Sequence, residues 1–166
     1  MRRVILFRHA KTEAQALGGR DINRALTERG RMDAALVANR LVEVGLLPDK
    51  VLVSPAVRAR QSWMCMADAF PGAQMDICND LYNAAPEDVA GVISDATTAT
   101  VMVIGHNPSL QELAVEMLSE GLGTPGEIEQ LSVSFPTATA AVLALDADGR
   151  AALEGLIHAR DLRPGA

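Results

Sequence analysis

Val101-Met102-Val103-Ile104-Gly105-His106-Asn107-Pro108 is the stretch on which the fold turns. Four consecutive apolar residues are too few for a helix, and they leave no polar face for water. They predict a strand covered on both sides, as in a parallel sheet. Pro108 has the fixed φ and the missing N–H that suit a helix start, so a helix is expected from Asn107 and Pro108 to about Ser119. A strand that runs straight into a helix is half of a β-α unit.

The same pattern recurs upstream. Val4 to Phe7 is another four-residue apolar run, and Val51-Leu52-Val53 is a third. Ser54 and Pro55 then read as N-cap and first residue of a helix to about Ala69. Between the first two strands, Thr27 caps a helix to about Val44. Its apolar positions Met32, Ala35, Leu36, Leu41 and Val42 lie near helical spacing, and Gly45 ends it. Gln74 to Cys78 reads as a short strand, and Pro86-Glu87-Asp88 opens a further helix. Downstream, Gly121 to Gly126 reads as a loop. Leu131 to Phe135, Thr139 to Leu145 and Ala152 to His158 read as strands. The last two are joined by the hairpin turn Asp146-Ala147-Asp148-Gly149. The expectation is a single domain over residues 1–166, of α/β class. It is a three-layer α/β/α sandwich with a mostly parallel sheet and an antiparallel C-terminal hairpin.

Composition narrows the function classes. The chain has 166 residues, 49% apolar and 22% charged, within the range of a globular domain able to bury a full core. Aromatics are 3% and the formal charge is −6. That argues against a nucleic-acid partner, which needs stacking platforms or a basic footprint, and against an anionic membrane surface. No apolar stretch is long enough to span a bilayer, and Val4 to Phe7 is too short for the core of a secretory signal. Cys65 and Cys78 form no C-x-x-C pair or metal spacing. Two reduced thiols in a cytoplasmic protein is the expected setting.

Each of the three clear strands ends in residues suited to an anion. The first ends Arg8-His9-Ala10-Lys11-Thr12, the second Ser54-Pro55-Ala56-Val57-Arg58, the third Gly105-His106-Asn107-Pro108. Ligands of open α/β sheets sit outside the carboxyl ends of the strands, so these segments are expected to meet. Two of them also lead into helix N-termini, whose free N–H groups favour phosphate. By position alone the site would hold a phosphate or a carboxylate. His158, late in a strand without such context, reads as structural or surface.

These three motifs, in this order, resemble those of the histidine phosphatase superfamily, the phosphoglycerate-mutase-like enzymes. The short chain, Leu26-Thr27-Glu28-Arg29-Gly30 and Leu81-Tyr82-Asn83-Ala84 look like its SixA-type phosphohistidine phosphatase branch. The resemblance runs from about residue 3 to about residue 145. It implies His9 as nucleophile and Arg8 and Arg58 as a clamp on the phosphoryl oxygens, with His106 adding a hydrogen bond. It implies a covalent phosphohistidine intermediate and no cofactor or metal, the positive side chains supplying the charge. Asn107, or backbone at the following helix start, would support His106 at the phosphate, and Thr12 would add a hydroxyl contact. Asp21 and Arg24 would form a structural ion pair nearby. The chain departs from the superfamily at the proton donor. Many members carry Glu near the position of Asn83, which has no carboxyl proton to give. Asp80 is the candidate donor in its place, while Glu87 reads as a first-turn helix acid.

The substrate implied is a phosphorylated protein of the histidine-phosphotransfer type, since the spacing leaves little room for an inserted lid. A phosphatase or mutase for a small phosphorylated metabolite is the alternative, and a silent phosphate-binding module the remote one. Other phosphate chemistries fail on spacing. There is no Walker loop. Neither cysteine has an Arg six residues on, since Pro71 and Ala84 stand there. Too little chain follows Asp146-Ala147-Asp148-Gly149 for an aspartate-nucleophile phosphatase. No cluster has metal-ligand spacing.

Overall fold

The computed structural model describes residues 1–16 and 18–165. Six strands form one sheet: β1 (Arg2–Arg8), β2 (Lys50–Val53), β3 (Gln74–Ile77), β4 (Thr100–Gly105), β5 (Thr139–Leu145) and β6 (Ala151–His158). Their spatial order is β3-β2-β4-β1-β5-β6. The first four are mutually parallel. β5 is antiparallel to both β1 and β6. The antiparallel hairpin expected at the C-terminus is therefore joined to the parallel part through β1.

Side chains alternate along a strand, and here both faces are covered. Ile5, Phe7, Met102 and Ile104 point into one core. There they meet α1 (Glu28–Glu43), α2 (Val57–Met66) and Ala159 of α6 (Ala159–Leu162). Val4, Leu6, Val101 and Val103 point into the other, against α3 (Pro86–Asp95), α4 (Ser109–Glu120) and α5 (Pro125–Val133). Three layers follow from strands with no polar face. Burying an Ile, Leu or Phe side chain contributes about 1.5–3 kcal/mol, so the central strands anchor the domain.

Two local readings are corrected. Leu131 to Phe135 alternates like a strand, but Leu131 to Val133 end α5. The helix starts two residues before the expected loop is over. Thr124 accepts a hydrogen bond from the Glu127 N–H, Glu127 reaches back to the Thr124 N–H, and Pro125 takes the first helical position. This capping box outweighs a short alternating pattern. At α2 the expected cap also shifts: the helix begins at Val57 after Ala56. Ser54 is turned to another partner, described below.

Candidate active site

The sheet register sets three strand ends in a row. Arg8 lies opposite Gly105 and Val53 opposite Ile104, so His9, Ser54 and His106 leave the sheet at one edge. The His9 N–H donates to the Gly105 carbonyl at 3.1 Å, and the Ser54 N–H to that of Ile104 at 3.0 Å. The chain leaves β2 toward β3 and leaves β4 the other way toward β5, so the switch point between diverging connections lies at this edge.

The loop after β1 is held from two sides. The Ala10 N–H donates to Ser62 Oγ at 3.0 Å, and that hydroxyl donates to the Arg58 carbonyl at 2.8 Å. The Thr27 N–H donates to the Lys11 carbonyl at 2.9 Å. Gly30 presses so close that a Cβ there would lie 2.2 Å from the Lys11 oxygen, which explains a glycine in the first turn of α1.

Held this way, His9 is 6% exposed. Its Nδ1 lies 2.8 Å from the Ala10 carbonyl. A carbonyl can only accept, so Nδ1 carries the proton of the neutral ring and Nε2 keeps a free lone pair. Burial pushes the His9 pKa down to about 3, with the charges of His106, Arg58 and Arg8 adding to it and the Ala10 carbonyl opposing it. The ring is neutral at pH 7, with its basic nitrogen unblocked.

The other three side chains surround it. The rings of His9 and His106 are 5.3 Å apart. Burial, then the Arg58 charge, pushes the His106 pKa down to about 4. Burial and the Arg58 charge also lower that of Arg8. Arg8 Nη1 donates to the Phe135 carbonyl at 3.0 Å, and Arg58 donates to the backbone oxygen and Oδ2 of Asp21 at 2.9 and 3.0 Å. Arg8 Nε, Arg58 Nε and His106 Nδ1 are buried with no protein partner among the described residues. Like charges held together, with buried donors unmet, are the electrostatic complement of an anion with several oxygens.

The remaining sequence candidates fall elsewhere. Among the described residues Asn107 makes no side-chain hydrogen bond to His106: its Nδ2 donates to the Phe135 carbonyl at 3.0 Å, the same oxygen that accepts from Arg8. It braces the clamp. Thr12 Oγ1 accepts from Arg24 Nη1 at 2.8 Å. Asp80 is exposed, and its charge is felt at Cys78, whose pKa burial raises first. No hydrogen bond or ion pair links Asp80 to Arg8, His9, Arg58 or His106 among the described residues. Asn83 is exposed with φ 54°, a left-handed conformation that asparagine tolerates well. Glu87 sits in the first turn of α3. His158 Nδ1 is 2.9 Å from Thr139 Oγ1.

The sequence suggested no role for Tyr82 or Ser62, only a helix cap for Ser54, and too small a role for Asp21. Tyr82 is the chain's one tyrosine. It donates its hydroxyl to Asp21 Oδ2 at 2.7 Å and meets the His106 ring edge-on at 5.7 Å. Asp21 also accepts from Arg24 Nε at 2.9 Å. The Tyr82 hydroxyl first, then Arg24 and Arg58, hold its carboxyl far below the usual carboxylate range. Tyr82 had one available signal, its place inside Leu81-Tyr82-Asn83-Ala84. Asp21 signalled only its pairing with Arg24, and Ser62 signalled nothing, because their partners in the site lie 37 and 52 residues away.

The family model of the histidine phosphatase superfamily (branch 1) matches residues 4–100. The chain belongs to that superfamily, and its fold is that of a phosphatase of this type. A crystal structure of a candidate phosphohistidine phosphatase SixA from Agrobacterium tumefaciens is similar at TM-score 0.83 and 32% identity, over 94% of this chain and 97% of that one. A protein histidine phosphatase SixA complexed with tungstate is similar at TM-score 0.81 and 26% identity, over 97% and 99%. An uncharacterized chloroplastic protein of Arabidopsis thaliana is 32% identical over 168 residues, covering 94% of this chain and 77% of the relative. No helix among the described residues is long and apolar enough to cross a membrane.

Proposed function

We propose that this protein removes the phosphoryl group from phosphohistidine on a partner protein, through a covalent intermediate on His9. The substrate phosphoryl lies against Arg8, Arg58 and His106. His9 Nε2 attacks phosphorus in line with the leaving group. The new P–N bond forms as the P–N bond of the substrate breaks, and the leaving imidazole takes a proton from water. Water then attacks phospho-His9, the bond to Nε2 breaks, and inorganic phosphate departs. Charge spreads over three phosphoryl oxygens in both steps, so the positive clamp carries most of the catalysis. Arg8 and Arg58 supply the charge that a metal supplies elsewhere, with His106 adding a neutral hydrogen-bond donor, and chelators are expected to leave the rate unchanged.

The observation that carries the choice of substrate is the state of Asp21. It is the carboxylate drawn into the cluster, and three donors keep it ionised. An ionised carboxylate cannot protonate an alkoxide. Expelling an alkoxide without a general acid forgoes about 10²–10⁴-fold. Imidazole leaves from a P–N bond with far less help. The likeness to SixA proteins supports the same reading. Two free thiols support a reducing compartment such as the cytoplasm, although the plant relative is chloroplastic.

One feature favours the metabolite alternative. A cavity of about 440 Å³ beside Asp21 and Arg24, lined also by Ala14, Gln15, Ala16 and Gly19, has room for a small leaving group. The deciding experiment compares kcat/KM for a phosphohistidine peptide, p-nitrophenyl phosphate and a sugar phosphate. Phosphohistidine is expected first, the aryl phosphate second. A sugar phosphate in first place replaces the proposal with a metabolite phosphatase. No turnover of any, with phosphate still bound, leaves a binding module.

A further inference from the structure

Ser54 has no place in the mechanism above, yet it is 0% exposed at the centre of the site. Its Oγ lies 2.7 Å from His106 Nε2 and accepts from the Ala56 N–H at 3.3 Å. A buried hydroxyl proton must find an acceptor. Ser54 Oγ has one other contact, and that is a donor. His106 Nε2 is therefore the acceptor available to the Ser54 proton among the described residues.

The assignment has a consequence for the histidine. In a neutral imidazole one nitrogen donates and the other accepts. If Nε2 accepts from Ser54, the ring proton sits on Nδ1. Nδ1 is the ring nitrogen left buried without a protein partner among the described residues. With the opposite tautomer, Nδ1 would turn a lone pair rather than a proton toward the phosphoryl oxygens, and the Ser54 proton would be stranded. Resting on the phosphatase reading, we infer that Ser54 is a positioning residue: it locks His106 in the tautomer whose Nδ1–H donates to the transferring phosphoryl group. The same loop position explains why Ser54 does not cap α2. Its side chain is committed across the β2–β4 edge instead.

Burial keeps His106 neutral at pH 7, so its tautomer is a defined property of the ligand-free protein. The test is ¹⁵N–¹H NMR of the three histidines at pH 7, assigned with single His→Gln variants, alongside p-nitrophenyl phosphate turnover. In the unsubstituted protein, His106 is expected as the Nδ1–H tautomer. Ser54→Ala should shift that population toward Nε2–H and lower kcat/KM by about 10–100-fold, as loss of a group that orients a reacting side chain does. Ser54→Thr, which keeps the hydroxyl, should restore the tautomer. An Nε2–H ring in an active unsubstituted protein overturns the role of Ser54 alone. So does a Ser54→Ala protein with unchanged tautomer and rate. An Nδ1–H ring in a protein without phosphatase activity overturns the phosphatase reading instead, while the tautomer assignment stands.

Discussion

Charge is buried in two places, and the two are built on opposite plans. On α1, Asp33 is 2% exposed and accepts two hydrogen bonds from Arg163, at 3.0 and 2.6 Å, with Arg29 at 3.5 Å. The pair ties the C-terminal tail to α1, and its carboxylate is fully engaged. At the carboxyl edge of the sheet, Arg8, Arg58, His9 and His106 stand together with several unmet donors, and the one carboxylate there, Asp21, bonds Arg58. The first arrangement is closed, since removing solvent from a charge is tolerable only with good partners. The second is open, so its cost is met when an anion arrives. Asp33, both of whose oxygens accept from Arg163, holds structure, whereas the clustered donors of Arg8, Arg58 and His106 suit an arriving anion.

The contrast is broken most directly at its reacting atom. His9→Ala should lower kcat by at least about 10³-fold with the fold intact, as expected for a nucleophile. A brief reaction with labelled substrate, quenched, should give label that is lost in acid and stable in alkali. Acid-stable label, or an active His9→Ala protein, would place the chemistry elsewhere.

Charge removal at the two sites should then separate activity from stability. Arg58→Ala should reduce kcat/KM by about 10²–10³-fold with little change in Tm. Asp33→Asn should lower stability by about 2 kcal/mol with kcat/KM unchanged, because it weakens charge-assisted bonds to a half-exposed Arg163. Paired thermal melts and rates measure both. A swap of the two outcomes would undo the comparison.

Tyr82 sharpens it from within the open site. Tyr82→Phe removes one hydrogen bond to Asp21, worth about 1 kcal/mol or about fivefold in rate. The fall should appear in kcat/KM. Asp80→Asn, on the exposed turn outside the cluster, should change it by less than about twofold for every substrate, within the noise of a surface substitution.

Acid should weaken the open site before it stops it. The unfolded chain protonates its histidines near 6.5, whereas the folded protein keeps His106 and His9 neutral to about 4 and about 3. Between those values the unfolded state binds more protons, so stability falls as pH drops from about 6.5 toward 4. Urea midpoints should follow that slope, and a His9→Gln, His106→Gln double variant should flatten it. A midpoint that holds level across this range in the unsubstituted protein would mean that the histidines are not buried neutral.

Runs such as Val4–Phe7 and Val101–Ile104 determined the layered fold, because a strand without a polar face must be covered twice. Thr27, Pro86 and Asp146-Gly149 announced their helix starts and hairpin turn for similarly local reasons: a cap or turn acts within four residues of chain. The candidate residues Arg8, His9, Arg58 and His106 were legible because each follows directly on an apolar strand or its turn. Only the tertiary structure decided what Asp21, Ser54, Ser62, Tyr82 and Asn107 do. Asn107 was expected at the phosphate and instead bonds a carbonyl 28 residues on, and Ser54 was expected to cap a helix and instead meets a histidine 52 residues on. A hydrogen-bonding side chain takes whichever partner the packing brings within about 3 Å, and that choice is made across the sheet, where neighbouring residues in the sequence carry no record of it.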